Sequence, residues 1–115
     1  MALSEFELHK IKRGVEAYIE KKRPPAHLRD RLDLAYRIKG QSVFLFEVRP
    51  DWRGGPEKME SPVVKATWIK TRKHWRVYWM RKDLRWHSYD PDPVADTIEE
   101  VLALVERDEW GCFYG

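Results

Sequence analysis

Leu32-Asp33-Leu34-Ala35-Tyr36-Arg37-Ile38-Lys39-Gly40-Gln41-Ser42-Val43-Phe44-Leu45-Phe46-Glu47-Val48 is the stretch from which the architecture can be read. Leu32, Leu34, Tyr36 and Ile38 alternate with Asp33, Ala35, Arg37 and Lys39. A period of two is that of a strand with one face in a core. Lys39-Gly40-Gln41 supplies a turn, with glycine free to take φ > 0. Val43 to Val48 then returns as a strand rich in β-branched and aromatic residues. Pro50 ends it, because proline has no N–H for a ladder.

The same alternation continues downstream. Val63 to Lys70, His74 to Arg81 and Leu84 to Tyr89 read as three more strands, separated by Thr71-Arg72-Lys73 and Lys82-Asp83. Residues 51–62 carry Gly54-Gly55-Pro56 and Ser61-Pro62 and read as one loop. Ser61-Pro62 is also compatible with the start of a short helix. Asp90-Pro91-Asp92-Pro93 closes the sheet region. Helices flank it. Ser4 with Glu7 forms a capping box, Leu3 and Leu8 a hydrophobic staple, and Leu8, Ile11, Val15, Tyr18 and Ile19 a stripe that Arg23-Pro24-Pro25 terminates. Asp96 with Glu99 caps a second helix whose stripe is Ile98, Val101, Leu102 and Val105. The expected fold is therefore α+β: an antiparallel meander of about five strands, with an N-terminal and a C-terminal helix on one face.

The chain has 115 residues, which predicts one domain spanning 1–115 with the 51–62 loop inside it. The aromatic tail, residues 108–115, is expected to pack on the body. Apolar residues make up 43% and charged residues 36%, with a net charge of +3, which excludes a disordered chain. No apolar run approaches the roughly 20 residues of a membrane span, so no membrane partner is expected. Met1-Ala2-Leu3-Ser4-Glu5 carries no signal-type apolar stretch. The single cysteine, Cys112, has no internal disulfide partner. These features predict a cytoplasmic protein.

The charge is unevenly distributed. Residues 63–89 hold eight Lys or Arg against one acid, whereas residues 90–115 hold eight acids against Arg107 alone. Either the acidic helix neutralises the basic strands, or those strands face a polyanion.

Several segments carry a resemblance. They are Met1 to Glu7, Arg23-Pro24-Pro25, Leu32-Asp33-Leu34, Phe46-Glu47-Val48-Arg49-Pro50, Trp75-Arg76-Val77-Tyr78-Trp79-Met80-Arg81, Asp83-Leu84-Arg85-Trp86-His87-Ser88-Tyr89 and the closing Gly111-Cys112-Phe113-Tyr114-Gly115. With these the chain resembles a bacterial family, domain of unknown function 3024, over nearly its whole length. The resemblance implies a small stand-alone bacterial protein and brings no activity, cofactor or catalytic residue with it.

Function must then be sought in the residues. Sorted by alternation, Trp75, Val77, Trp79, Leu84 and Trp86 form a face to be buried under the helices. Arg76, Tyr78, Arg85, His87 and Tyr89 form the opposite face, joined across strands by Arg37, Lys39, Arg49 and Lys65. Cations interleaved with rings suit single-stranded nucleic acid, since the cations neutralise phosphates and the rings stack on bases. The same pattern also fills a solvated sheet face. Six tryptophans suggest a second reading, a protein partner or a second copy of the chain, held by Trp52, Trp110 and Phe113.

Enzymatic readings find less footing. Pro50-Asp51 lacks the acid-x-Lys that a nuclease needs on the following strand. His9, His27, His74 and His87 are dispersed, with no metal-ligand pairing, and His87, Asp90 and Asp92 read as turn residues. Cys112 sits beside Asp108 and Glu109, which oppose a reactive thiolate. No glycine-rich phosphate loop is present. No cofactor and no metal are expected. Glu47, Tyr78 and His87 are the best acid–base set if the fold brings them together. The sequence thus favours a non-catalytic binding module over a small enzyme.

Overall fold

The computed structural model describes residues 3–51 and 53–114. Helix α1 spans Glu5–Lys22. Its start is the expected capping box: the Glu7 N–H donates to Ser4 Oγ at 3.1 Å, and the Ser4 N–H to Glu7 Oε1 at 2.9 Å. The Ser4 N–H, and after it the Ser4 hydroxyl, hold the Glu7 carboxyl below its ordinary pKa. The helix ends at Arg23, where the proline pair forces extended backbone. Arg23 grips Asp33 through Nε at 3.1 Å and Nη2 at 2.6 Å, fixing the helix exit against the start of the sheet.

Five strands follow as an antiparallel meander: β1 Asp33–Lys39, β2 Ser42–Pro50, β3 Lys58–Ile69, β4 His74–Met80 and β5 Trp86–Ser88. A two-residue strand, β6 Val94–Ala95, pairs with the first part of β4 while β5 pairs with its last part. Helix α2, Ile98–Arg107, packs beside α1 and over β3, β4 and β6. The α+β sheet with its two helices is the architecture the alternation predicts.

The core lies between the helices and one sheet face, called inner here. Ile11, Val15, Ile19, Val101, Leu102 and Val105 meet Val43, Leu45, Val64, Ala66, Trp75 and Val77, all buried. The two helices approach closely at Gly14, where a Cβ would lie 3.2 Å from Ile98 Cγ2 and from Glu99 Oε1.

Four local expectations need correction. Strand β3 begins at Lys58, not Val63, so the loop covers only 51–57 and no helix forms at Ser61-Pro62. A register shift places Leu45 opposite Val64 and Phe46 opposite Pro62, so Val63 is an extra residue and the irregular ladder tolerates the proline. The cap of α2 is Thr97, which accepts from the Glu100 N–H, while the Glu100 carboxylate accepts from the Asp96 N–H; the cap is one residue later than Asp96 with Glu99. The strand expected from Leu84 begins at Trp86, because Leu84 sits in the turn at φ 61°.

That turn has the largest consequence. Met80 pairs with Trp86 and Trp79 with His87, which slips the final strand by one residue from the expected alternation. A one-residue slip exchanges the faces of every side chain. Leu84 is therefore 82% exposed rather than buried, and Trp86 lies on the outer face.

The tail, 108–114, folds back on the body. Asp108 takes the left-handed conformation that ends α2, and its carboxylate accepts the Phe113 N–H at 3.0 Å and the Tyr114 N–H at 2.9 Å. Phe113 packs on Tyr89, the rings tilted at 50° with centroids 4.8 Å apart. The Tyr18 and Tyr114 hydroxyls meet at 2.6 Å. No helix among the described residues is long and apolar enough to cross a membrane.

Candidate nucleic-acid interface

Neither helix covers the outer face of the sheet. Register builds a row across it: Arg37 opposite Phe44, Phe44 opposite Lys65, Lys65 opposite Tyr78, Tyr78 opposite Ser88. Cation and ring alternate along four strands. The Lys65 ammonium lies 5.7 Å from the Phe44 centroid and 5.3 Å from that of Tyr78. Below this row, Arg37 covers Phe46 at 4.5 Å, and Phe44 meets Trp86 at 6.0 Å and 58°. Above it, Lys39, Ser42, Thr67 and Arg76 share a second row, with the Ser42 and Thr67 hydroxyls 2.8 Å apart. Arg37, Lys39, Phe44, Phe46, Met80 and Trp86 line a shallow hollow of about 310 Å³.

The electrostatics of this face follow from where the acids lie. Arg37 is held by Glu60 in a two-pronged pair at 2.8 and 3.0 Å, which raises the guanidinium pKa further. Among the described residues Lys39, Lys65 and Arg76 have no ion pair. Two of the three acids of α2 are engaged elsewhere, Glu100 at its own N-terminus and Glu106 on α1. Glu106 pairs with Lys22 at 3.2 Å and accepts from Tyr18, both on α1. None of them forms an ion pair with a basic residue of β3, β4 or β5.

Of the residues expected on this face, Arg76, Tyr78, Lys65, Arg37 and Lys39 are there. Arg49 is not: it shares the inner side with Glu47 and lines the open groove there. Three more are also missing from it. Arg85 is exposed in the β4–β5 turn, its N–H donating to Asp83. His87 shares the inner side with Trp79, and its Nε2 lies 2.8 Å from Asp83 Oδ2. That contact is the first cause of the lowered Asp83 pKa. Tyr89 is 3% exposed beneath Phe113. Arg85 is left in the turn, the one-residue slip turns His87 and Tyr89 inward, and the tail then closes over Tyr89. Phe44, Phe46 and Trp86 are the additions. The run Val43-Phe44-Leu45-Phe46 is apolar on both faces, so only the pairing shows that its even members take the outer one.

The protein-interface residues separate in the same way. Trp110 is 68% exposed, whereas Phe113 is buried in the core and offers nothing to a partner. Trp52 lies outside the described residues.

The inner face has a feature of its own. α2, with ten residues, is about 15 Å long, whereas twelve-residue β3 runs about 40 Å. The far end of the hairpin is therefore left open, as a groove of about 1250 Å³ reached by Glu47, Arg49, Ser61, Trp79, Arg81 and Tyr114. Glu47 pairs with Arg49 at 3.0 Å. Tyr78 lies on the opposite face, and His87 does not line the groove, so the acid–base set is not assembled. Cys112 does line it, but burial, and then Asp108, push its thiol pKa up. In the hairpin loop Asp51 is clamped by Arg53. Among the described residues no three His, Cys, Asp or Glu side chains are grouped to hold a metal ion.

The chain matches no curated protein and no solved structure. Over residues 3–115 it matches one family, and it therefore belongs to the family described as Domain of unknown function (DUF3024).

Proposed function

We propose that this protein is a non-catalytic module that binds single-stranded nucleic acid on the uncovered face of its sheet. The observation that carries the reading is the cross-strand row Arg37, Phe44, Lys65, Tyr78, with Arg76 and Lys39 beside it and no α2 carboxylate paired to it. A single strand offers bases to rings and phosphates to cations at once, whereas a duplex hides its base faces. Lys65 is the pivot. Its flexible stem lets the ammonium leave the two rings for a phosphate while a base takes its place. A cytosolic, bacterial setting suits this role, with nucleic acid at hand and Cys112 kept reduced.

The test is fluorescence anisotropy of labelled single-stranded RNA, single-stranded DNA and duplex DNA, titrated at two salt concentrations. Saturable binding to single strands, weaker at high salt, is expected. Tyr78→Ala should cost about 1–3 kcal/mol, the usual worth of one stacked base. No binding at low salt ends the proposal. The exposed Trp110 then becomes the leading feature, and the reading shifts to a protein partner or a second copy, checked by solution mass before and after Trp110→Ala.

A further inference from the structure

At the opposite end of the molecule, the first turns of α1 and α2 meet the β3–β4 strand ends around a small pocket of about 180 Å³. Three rings line it: Phe6, Trp68 and Trp75. Trp68 and Trp75 are cross-strand partners, tilted at 55° with centroids 5.4 Å apart. Phe6 is 73% exposed, an unusual place for a phenylalanine that serves the fold alone. The charged residues at the pocket are Glu7, Asp96 and Glu99 against Lys10, an excess of negative charge. Glu7 is engaged in the cap of α1, while Asp96 and Glu99 have no ion pair among the described residues. The indole N–H of Trp68 is buried and has no acceptor among the described residues.

Rings beside unpaired carboxylates are the chemistry that recognises alkylated ammonium groups. The ring faces attract the diffuse cation, which no single hydrogen bond can hold, and the carboxylates supply the counter-charge. The Trp68 indole N–H is closed to solvent, so it reports on the pocket wall rather than touching a ligand. We infer that this pocket binds a small quaternary-ammonium compound, with choline as the simplest example. The site is separate from the sheet face and does not depend on its role.

The experiment follows the Trp68 indole N–H resonance in the intact, ¹⁵N-labelled protein, assigned with Trp68→Phe. Choline chloride is titrated against sodium chloride at equal ionic strength and against choline's neutral carbon isostere, dimethylbutanol. A saturable shift with choline is expected, with the isostere binding about tenfold more weakly. Phe6→Ala and Glu99→Gln, both at exposed positions, should each weaken choline several-fold, whereas Lys65→Ala on the sheet face should not. An unmoved Trp68 signal, an isostere as good as choline, or two pocket variants that titrate like the parent protein would overturn the inference.

Discussion

Tyr18 and Tyr114 join the first helix to the last residues described through one 2.6 Å contact between their hydroxyls. Tyr18 also donates to Glu106 at 3.1 Å, and Lys22 lies 5.0 Å over the Tyr114 ring. Burial pushes the Tyr114 phenol up to about 12, although the Tyr18 hydrogen bond pulls the other way. Tyr18 is raised as well, first by burial and then by Tyr114. The sign of the pH effect follows. The unfolded phenol ionises near 10, so this part of the stability is whole below pH 10 and drains away as pH rises from there through about 12. Tyr114→Phe should cost about 1 kcal/mol at neutral pH, the net worth of one hydrogen bond. It should also flatten the alkaline fall. Urea denaturation at pH 8 and pH 11 reads both effects. Some fall will persist, because burial, with Glu16, also raises Tyr36 to about 12.

At the scale of elements, two local conflicts mark where stability can be moved. Leu84 holds φ 61° while 82% exposed, so its side chain contributes almost no burial and pays a steric cost in the left-handed region. Leu84→Gly should stabilise the protein by about 0.5–1 kcal/mol, after allowing for glycine's greater unfolded freedom. A higher urea midpoint with an unchanged slope would bear this out, and a lower one would refute it. Gly14 is the opposite case. Alanine there gains about 1 kcal/mol in helix propensity. Its Cβ, however, would crowd the buried Ile98 at 3.2 Å, and overpacking costs about 1–3 kcal/mol. Gly14→Ala should therefore lower the thermal midpoint, and Gly14→Val lower it further.

At the scale of the whole molecule, charge is sorted by layer. Glu106 of α2 answers Lys22 and Tyr18 on the helical side, and the sheet's Lys39, Lys65 and Arg76 are left facing outward. For a single strand each neutralised phosphate contributes a slope of about −0.7 to log affinity against log salt. Arg76→Ala should flatten that slope by about one such unit, while Tyr78→Ala lowers affinity with the slope unchanged. A slope that neither variant alters would place the phosphate contacts elsewhere. Acid should loosen the same molecule at its helix–sheet junction. Burial raises the Asp33 carboxyl, but the Arg23 guanidinium, the Leu34 N–H and the charge of Arg29 together more than offset this, so its pKa is lowered overall. Its contribution is present above the ordinary carboxylate range and lost below it, and Asp33→Asn should remove that part of the acid dependence.

Local chemistry by itself determined the elements. The Ser4–Glu7 box, the Arg23-Pro24-Pro25 stop, the alternation from Leu32 to Val48 and the stripe of α2 each act within a few residues, so the α+β meander is legible in the sequence alone. So is the burial of Trp75 and Val77 and the outward aim of Arg76 and Tyr78. What only the tertiary structure decided was which residues share a surface. A five-residue turn with Leu84 left-handed shifts β5 by one position, and that parity sends Trp86 outward and His87 inward. The closing tail removes Tyr89 and Phe113 from solvent. The Phe6, Trp68, Trp75 pocket joins residues nearly seventy positions apart. Element identity is a short-range property of the chain, whereas strand phase and convergence are set by pairing and packing that no local window contains.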